Sequence, residues 1–255
     1  MKTSSMKNKK LIFISLILII LIWIIISNII NNSIYLPKVS EVVKEISNIV
    51  KEKGFVQNII YSLARGAISF IIALIIAVVL GVISSFSKLF YNFFYPINAI
   101  LKSIPNIAFI LIALIWLNKN YAPYLIGFVI SFPILYENTL NSILNSNEDL
   151  LEMFNSFNIN FIDRLFNLHI QSIIINISQI ATSTFSLVFK VVIAGEVFGQ
   201  PTFGIGTAIQ RAKINFNTAG IFAWIIIVAV LCFITDKIIM IFINKLLKGG
   251  RYLSD

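Results

Sequence analysis

Polar and apolar positions follow one another in blocks too long for a soluble fold. Residues 1–10 are polar and basic, with Lys2, Lys7, Lys9 and Lys10, and an apolar run fills residues 11–30. A cleaved signal peptide has an apolar core of about 7–15 residues ahead of a small-residue cleavage site. This run has about 20 residues, enough to cross the hydrocarbon layer as a helix. Asn28, Asn31 and Asn32 stand where the small residues would be. The run is therefore predicted to be a retained membrane helix. Further apolar blocks predict spans over residues 58–83, 90–117, 121–140, 172–195 and 219–241. Gly81 with Ser84 and Ser85 marks the end of the second. Pro96 and Pro105 lie inside the third, and Pro133 kinks the fourth. Prolines in a span free backbone carbonyls, which neighbours or a water-lined path must satisfy.

Residues 33–56 carry a different period. Val39, Val42, Val43, Ile46, Ile49 and Val50 recur on one face of a helix, with Lys44, Glu45, Lys51, Glu52 and Lys53 on the other. Pro37 opens the stretch and Gly54 closes it. This is predicted to be an amphipathic helix at a membrane surface or against the bundle, not a span.

Composition supports an all-α, polytopic membrane protein of about six helices. The chain of 255 residues is 58% hydrophobic and 12% charged, with mean hydropathy +0.91. Soluble domains hold about 25% charged residues. Disorder needs low hydrophobicity and is excluded. Net charge +9 resides largely in basic chain ends and reads as membrane anchoring, so a nucleic-acid partner is not expected. Six spans put both termini on one side, and the basic ends place that side in the cytoplasm. Cys232 is the one cysteine and His169 the one histidine, so neither a disulfide nor a His- or Cys-based metal site is expected.

Residues 141–171 form the long polar connection between the fourth and fifth spans. Glu148 and Asp149 suit the first turn of a helix. Leu150, Phe154, Phe157 and Phe161 share one helical face, Asn158 suits a left-handed corner, and Asn160 and Asp163 offer a second start. The pattern predicts helix, tight corner, helix. Its phenylalanines either fold back on the protein's own spans or fill a groove on a cytoplasmic partner. Elsewhere, Arg65, Lys102, Lys190 and Glu196 lie in or near spans. Such charges line a path or are paired or snorkelling at span ends. Pro105 and Pro133 either break helices beside a path or are packing kinks.

The connection resembles the EAA loop of permeases of binding-protein-dependent ABC importers. Glu152, Met153 and Phe154 stand at its Glu-Ala-Ala, Asn158 at its glycine, and Leu168, Ile170 and Gln171 at its Ile-x-Leu-Pro ending. The spacing matches, while Met-Phe replaces Ala-Ala, Asn replaces Gly and Gln replaces Pro. Further landmarks resemble the nitrate, sulfonate and taurine branch. They are Leu36-Pro37, Ser62-Leu63-Ala64-Arg65-Gly66, Ile104-Pro105-Asn106-Ile107-Ala108, Phe132-Pro133-Ile134, Gly195-Glu196-Val197 and the Gly204-x-Gly206 loop. The resemblance covers residues 35–247.

It implies a type I ABC importer permease fold, a permease core over 57–247 behind an N-terminal region of 1–56, and a basic cytoplasmic tail of 248–255. It also implies a bacterial inner-membrane location and a second permease copy, most simply as a homodimer. A cytoplasmic ATP-binding subunit and an extracytoplasmic substrate-binding protein would be partners, with lipid around the spans. Glu148, Asp149, Glu152, Phe154, Phe157 and Asn158 would couple to the ATPase, and Arg65, Pro105, Pro133 and Lys190 would line the path. The solute would be a sulfonate-, nitrate- or taurine-like anion or a vitamin precursor. The chain would have no catalytic residue or cofactor of its own. It holds no G-x-x-x-x-G-K-[ST] pattern, so ATP would be hydrolysed by the partner. The worn loop leaves a permease-like structural or regulatory subunit open as an alternative. A membrane enzyme would need a cluster of acids, His or Cys at span ends, which the sequence lacks.

Overall fold

The computed structural model describes residues 9–146, 152–154, 156–157 and 160–251. Regular structure among them is helical throughout. The helices are α1 (Lys9–Ile30), α2 (Val39–Lys51), α3 (Phe55–Phe86), α4 (Lys88–Ser103), α5 (Asn106–Trp116) and α6 (Ala122–Leu144). A short α7 (Phe161–Arg164) leads through a π-turn (Leu165–Ile170) into α8 (Gln171–Gly199), followed by α9 (Ile205–Ile214) and α10 (Thr218–Arg251).

Four stretches among the described residues are long and apolar enough to cross a membrane: Lys10–Ile30, Phe55–Phe86, Leu165–Gly199 and Thr218–Lys245. α4 and α5 make a fifth if the pair, bent by 103°, counts as one. Two of the six expected spans therefore look different. The third is broken, because Ile104 precedes a proline and is held out of the helical region. Ile104 sits at φ −69°, ψ 126° and Pro105 at φ −59°, ψ 129°, so the chain turns between helices. The fourth, α6, has 23 residues but is not among the stretches apolar enough throughout to cross. It buries Ser131, Thr139 and Ser142 against protein. Packed between α3 and α8, α6 has little need of a lipid-soluble surface.

α3 explains that close packing. Ser62, Arg65, Gly66, Ser69, Ala73, Ala77, Gly81 and Ser84 are buried, a stripe of mostly small side chains every three or four residues. Small residues let helix backbones approach where lipid offers no hydrophobic drive. Gly81 lies inside α3 and does not end it. A Cβ there would stand 2.8 Å from Thr139 Cγ2 of α6. A Cβ on Gly127 of α6 would stand 2.7 Å from Ser69 Cβ. Ser69 Oγ also donates to Tyr124 O at 2.9 Å, tying α3 to α6 by a hydrogen bond.

α2 is the expected amphipathic helix, and it lies against the bundle. Val42 and Ile49 are buried in a cluster with Phe185, Phe189, Ile193, Ile205 and Trp224. Val43 and Val50, on the edge of the same face, stay exposed, so the buried stripe is narrower than the sequence pattern. Glu41 fixes the start of α2. Its carboxylate accepts from Lys38 N–H and from Ser33 Oγ, both at 2.9 Å, and these bonds hold its pKa below the ordinary value. α1 packs loosely. Trp23 anchors it, donating from Nε1 to Pro37 O at 3.0 Å and resting on Phe222.

Gly81→Val should disrupt the α3–α6 contact while leaving helix content unchanged. Overpacking of this kind costs about 1–3 kcal/mol. Thermal unfolding of the detergent-extracted protein should therefore begin several degrees lower, and an unshifted melt would show that the approach at Gly81 is slack.

Candidate functional site

Among the described residues, four places bring the candidate polar groups together. The first is the bend between α6 and α8. Asn160 Oδ1 accepts from Asp163 N–H at 2.8 Å and starts α7, as its residue type predicts. Asp163 opens nothing further, because α7 continues through the π-turn into α8 without a corner. Leu168 and His169 are buried within that turn, with His169 Nδ1 3.3 Å from Ser146 Oγ and its ring edge-on to Phe86. The two phenylalanines divide. Phe154 is 9% exposed and Phe157 is 75% exposed, with Met153 also open. Thus one ring folds back on the protein and the other points away from it. Glu152 is exposed on the same helical stretch. Glu148, Asp149 and Asn158 lie outside the described residues.

At the opposite end Arg65 meets Glu196. Both are buried, and Arg65 Nη1 donates to Glu196 Oε1 at 2.6 Å. The same nitrogen donates to Phe203 O at 2.7 Å. Ser62 Oγ stands 2.7 Å from Glu196 Oε2, and Gly206 N–H donates to that oxygen at 3.0 Å. Ile205 N–H in turn donates to Ser62 Oγ at 2.8 Å, and Gly204 N–H to Asn58 Oδ1 at 3.0 Å. Glycine is required at 206, where a Cβ would come within 2.3 Å of Ile193 O. The glycines of the 204–206 loop thus let the chain close over a buried carboxylate. Arg65, expected beside a path, has its charge taken by Glu196.

The third place is an open cleft of about 410 Å³ between α4 and α6, with Tyr91, Tyr95, Asn98, Lys102, Tyr136 and Glu137 among its lining. Lys102 Nζ donates to Glu137 Oε2 at 2.5 Å, and the two side chains are 48% and 44% exposed. Pro105 is exposed just beyond, at the break, whereas Pro133 is buried in α6. The fourth is a smaller, apolar groove of about 180 Å³ bounded by Lys190, Ile193, Ile209, Ile225 and Val228. Lys190 is exposed there, with no ion-pair partner among the described residues. One turn away Ser186 Oγ donates to Asp236 Oδ1 at 2.8 Å.

The family model for the binding-protein-dependent transport system inner membrane component matches residues 73–248. The chain belongs to that family. No curated protein matches it. As a permease it is an integral membrane protein that transports and is not by itself an enzyme. The system it serves includes a binding protein and an ATP-binding subunit. The matched segment begins within α3 and contains the bend, the cleft, Lys190 and Glu196, while Arg65 precedes it. An EAA loop such as that resembled by residues 152–171 is typical of this family.

The permease holds two charged partners that sequence reading passed over or left single. Glu137 interrupts an apolar block beside Tyr136 and Asn138, and such an acid in a span signals a nearby cation. The partner of Arg65 is 131 positions away, and no local spacing joins them.

Removing one member of a buried ion pair leaves an uncompensated charge and costs about 3–5 kcal/mol. Arg65→Met and Glu196→Gln should each sharply lower the yield and melting temperature of the permease. The double variant Arg65→Met/Glu196→Met should recover part of the loss. If either single variant melts like the parent, the pair does not pin this end of the bundle.

Proposed function

We propose that the chain is the membrane-crossing subunit of an ATP-driven importer of the nitrate, sulfonate and taurine branch. It passes a small solute with an anionic group, or a vitamin precursor, from an extracytoplasmic binding protein into the cytoplasm. Two copies assemble around the path, and both chain ends face the cytoplasm. The bend between α6 and α8 is the coupling element, gripped by the ATP-binding subunit through Glu152, Phe157 and the neighbouring Glu148, Asp149 and Asn158.

The observation that carries this reading is Phe157. Phe157 at 75% and Met153 at 43% are exposed apolar side chains on a polar connection, in the segment whose spacing resembles the EAA loop. Phe154, folded inward, anchors the elbow to its own bundle. This division of labour supports a working coupling element over a purely structural subunit. Lys190 supports the path. It stands about 13 Å along α8 from Gly199, by a helical rise of 1.5 Å per residue. At that depth a lysine without an acid partner needs water or an anion.

A cysteine at Phe157 in a Cys232→Ser background should crosslink to the co-expressed ATP-binding subunit. Absence of the adduct from an assembled, ATP-hydrolysing complex would remove the coupling assignment. Lys190→Gln should lower uptake of the transported anion roughly tenfold, with insertion and ATP hydrolysis retained. Unchanged uptake would make Lys190 a surface charge.

A further inference from the structure

The cleft between α4 and α6 has a composition that neither coupling nor packing explains. Lys102 lies about 21 Å along α4 from Lys88, and Glu137 about 10 Å along α6 from Leu144 and about 22 Å from Ala122. Both therefore fall within the thickness of the bundle and away from its ends. Each is close to half exposed in the chain, so the ion pair opens onto something other than its own protein. Bare hydrocarbon is a poor surrounding for an open ion pair. Water or a polar solute is the fitting one. Beside the pair α4 stops and the chain bends by 103° into α5. Interrupted helices with polar lining at mid-depth are where transporters hold solutes.

Three features of the lining select the solute. The charges sum to zero. An anion that approaches Lys102 also meets the Glu137 carboxylate bonded to that same ammonium, and a cation that approaches Glu137 meets Lys102. A solute with both signs satisfies each group without facing its like. Two further groups lack partners among the described residues: the Tyr136 hydroxyl, whose side chain is 2% exposed, and Asn98 Oδ1. The first can donate to an acidic oxygen and the second can accept from an ammonium. Tyr91 and Tyr95 add hydroxyls and aromatic faces at the rim. A volume of about 410 Å³ holds a molecule of a few heavy atoms with its water.

We propose that this cleft is a way-station for a small zwitterion, its acidic end on Lys102 and Tyr136 and its ammonium on Glu137 and Asn98. The proposal rests on the permease reading and narrows its solute, from a molecule with an anionic group or a vitamin precursor, to one that carries both signs of charge.

The test uses the permease assembled with its ATP-binding subunit in lipid nanodiscs, with Cys232→Ser and a reporter cysteine, Asn141→Cys, in the cleft lining. The rate of labelling by a water-soluble maleimide is read in two matched sets of probes. One set is β-alanine, propionate and propylamine; the other is taurine, ethanesulfonate and ethylamine. A zwitterion should slow labelling at least threefold at a concentration where its anion and cation analogues do not. Tyr136→Phe should weaken that protection, and Glu137→Gln should let the anion protect as well. No protection by either zwitterion, equal protection by the anions, or no labelling in a complex that hydrolyses ATP would each overturn the proposal. The last result would mean that a second copy or lipid seals the cleft. Assembly and ATP hydrolysis report separately on the permease reading. If no ATP-binding subunit assembles, that reading fails whatever the labelling shows.

Discussion

Glu196 buries a carboxylate inside the bundle, and one end of the molecule is built to answer that demand. Donors come from two separate stretches of chain, Ser62 and Arg65 on α3 and the Gly206 amide at the start of α9, all on a carboxylate carried by α8. A buried charge is tolerated when its lone pairs are filled. Filling them fixes the loop over residues 200–206, the tilt of α9 and the register of α3 against α8. From Arg65 the small-residue stripe continues down α3 to Ser84 and keeps α6 close along its length. The polar lock sets the register and the stripe sets the distance.

Apolar block length made α1, α3 and α10 legible, and the three-four period of valines and isoleucines made α2 legible. Hydrophobicity cannot report which helix lies in the middle, because a helix wrapped by protein is free to carry serine, threonine and asparagine. α6 is such a helix. The break at Ile104 was written in the dipeptide Ile104-Pro105, yet the surrounding isoleucines and leucines read as one span. Gly81 looked like a stop because glycine is a poor helix former, whereas its lack of a side chain serves contact with Thr139. Arg65 was legible as an unusual charge but not as half of a pair, since pairing across 131 positions is a property of the fold. The phenylalanines of the bend posed a choice between inward and outward. The structure takes Phe154 one way and Phe157 the other.

The bend and the lock stand at opposite ends of one continuous element. From Leu165 to Gly199 the chain is unbroken helix, beginning in a π-turn and ending at the Glu196 cage. π-turns mark places where a helix carries one residue too many, and they recur at functional positions. α8 is held along its length, with Phe185, Val188, Phe189 and Val192 packed along its buried side. α4 and α5 are built differently. α4 buries no residue, and the pair hinges at Pro105. The molecule thus combines a closely packed core of α3, α6 and α8, with α5 against it, and a more loosely packed α4 that carries Lys102.

The bend at Pro105 also leaves α5 too short to cross a bilayer by itself. With 11 residues, α5 is about 16 Å long, roughly half the hydrocarbon thickness of a bilayer. Its inner face, Phe109, Ile110 and Ala113, packs with Ala122 and Ile126 of α6 and Val191 of α8, so the longer helices beside it complete the crossing.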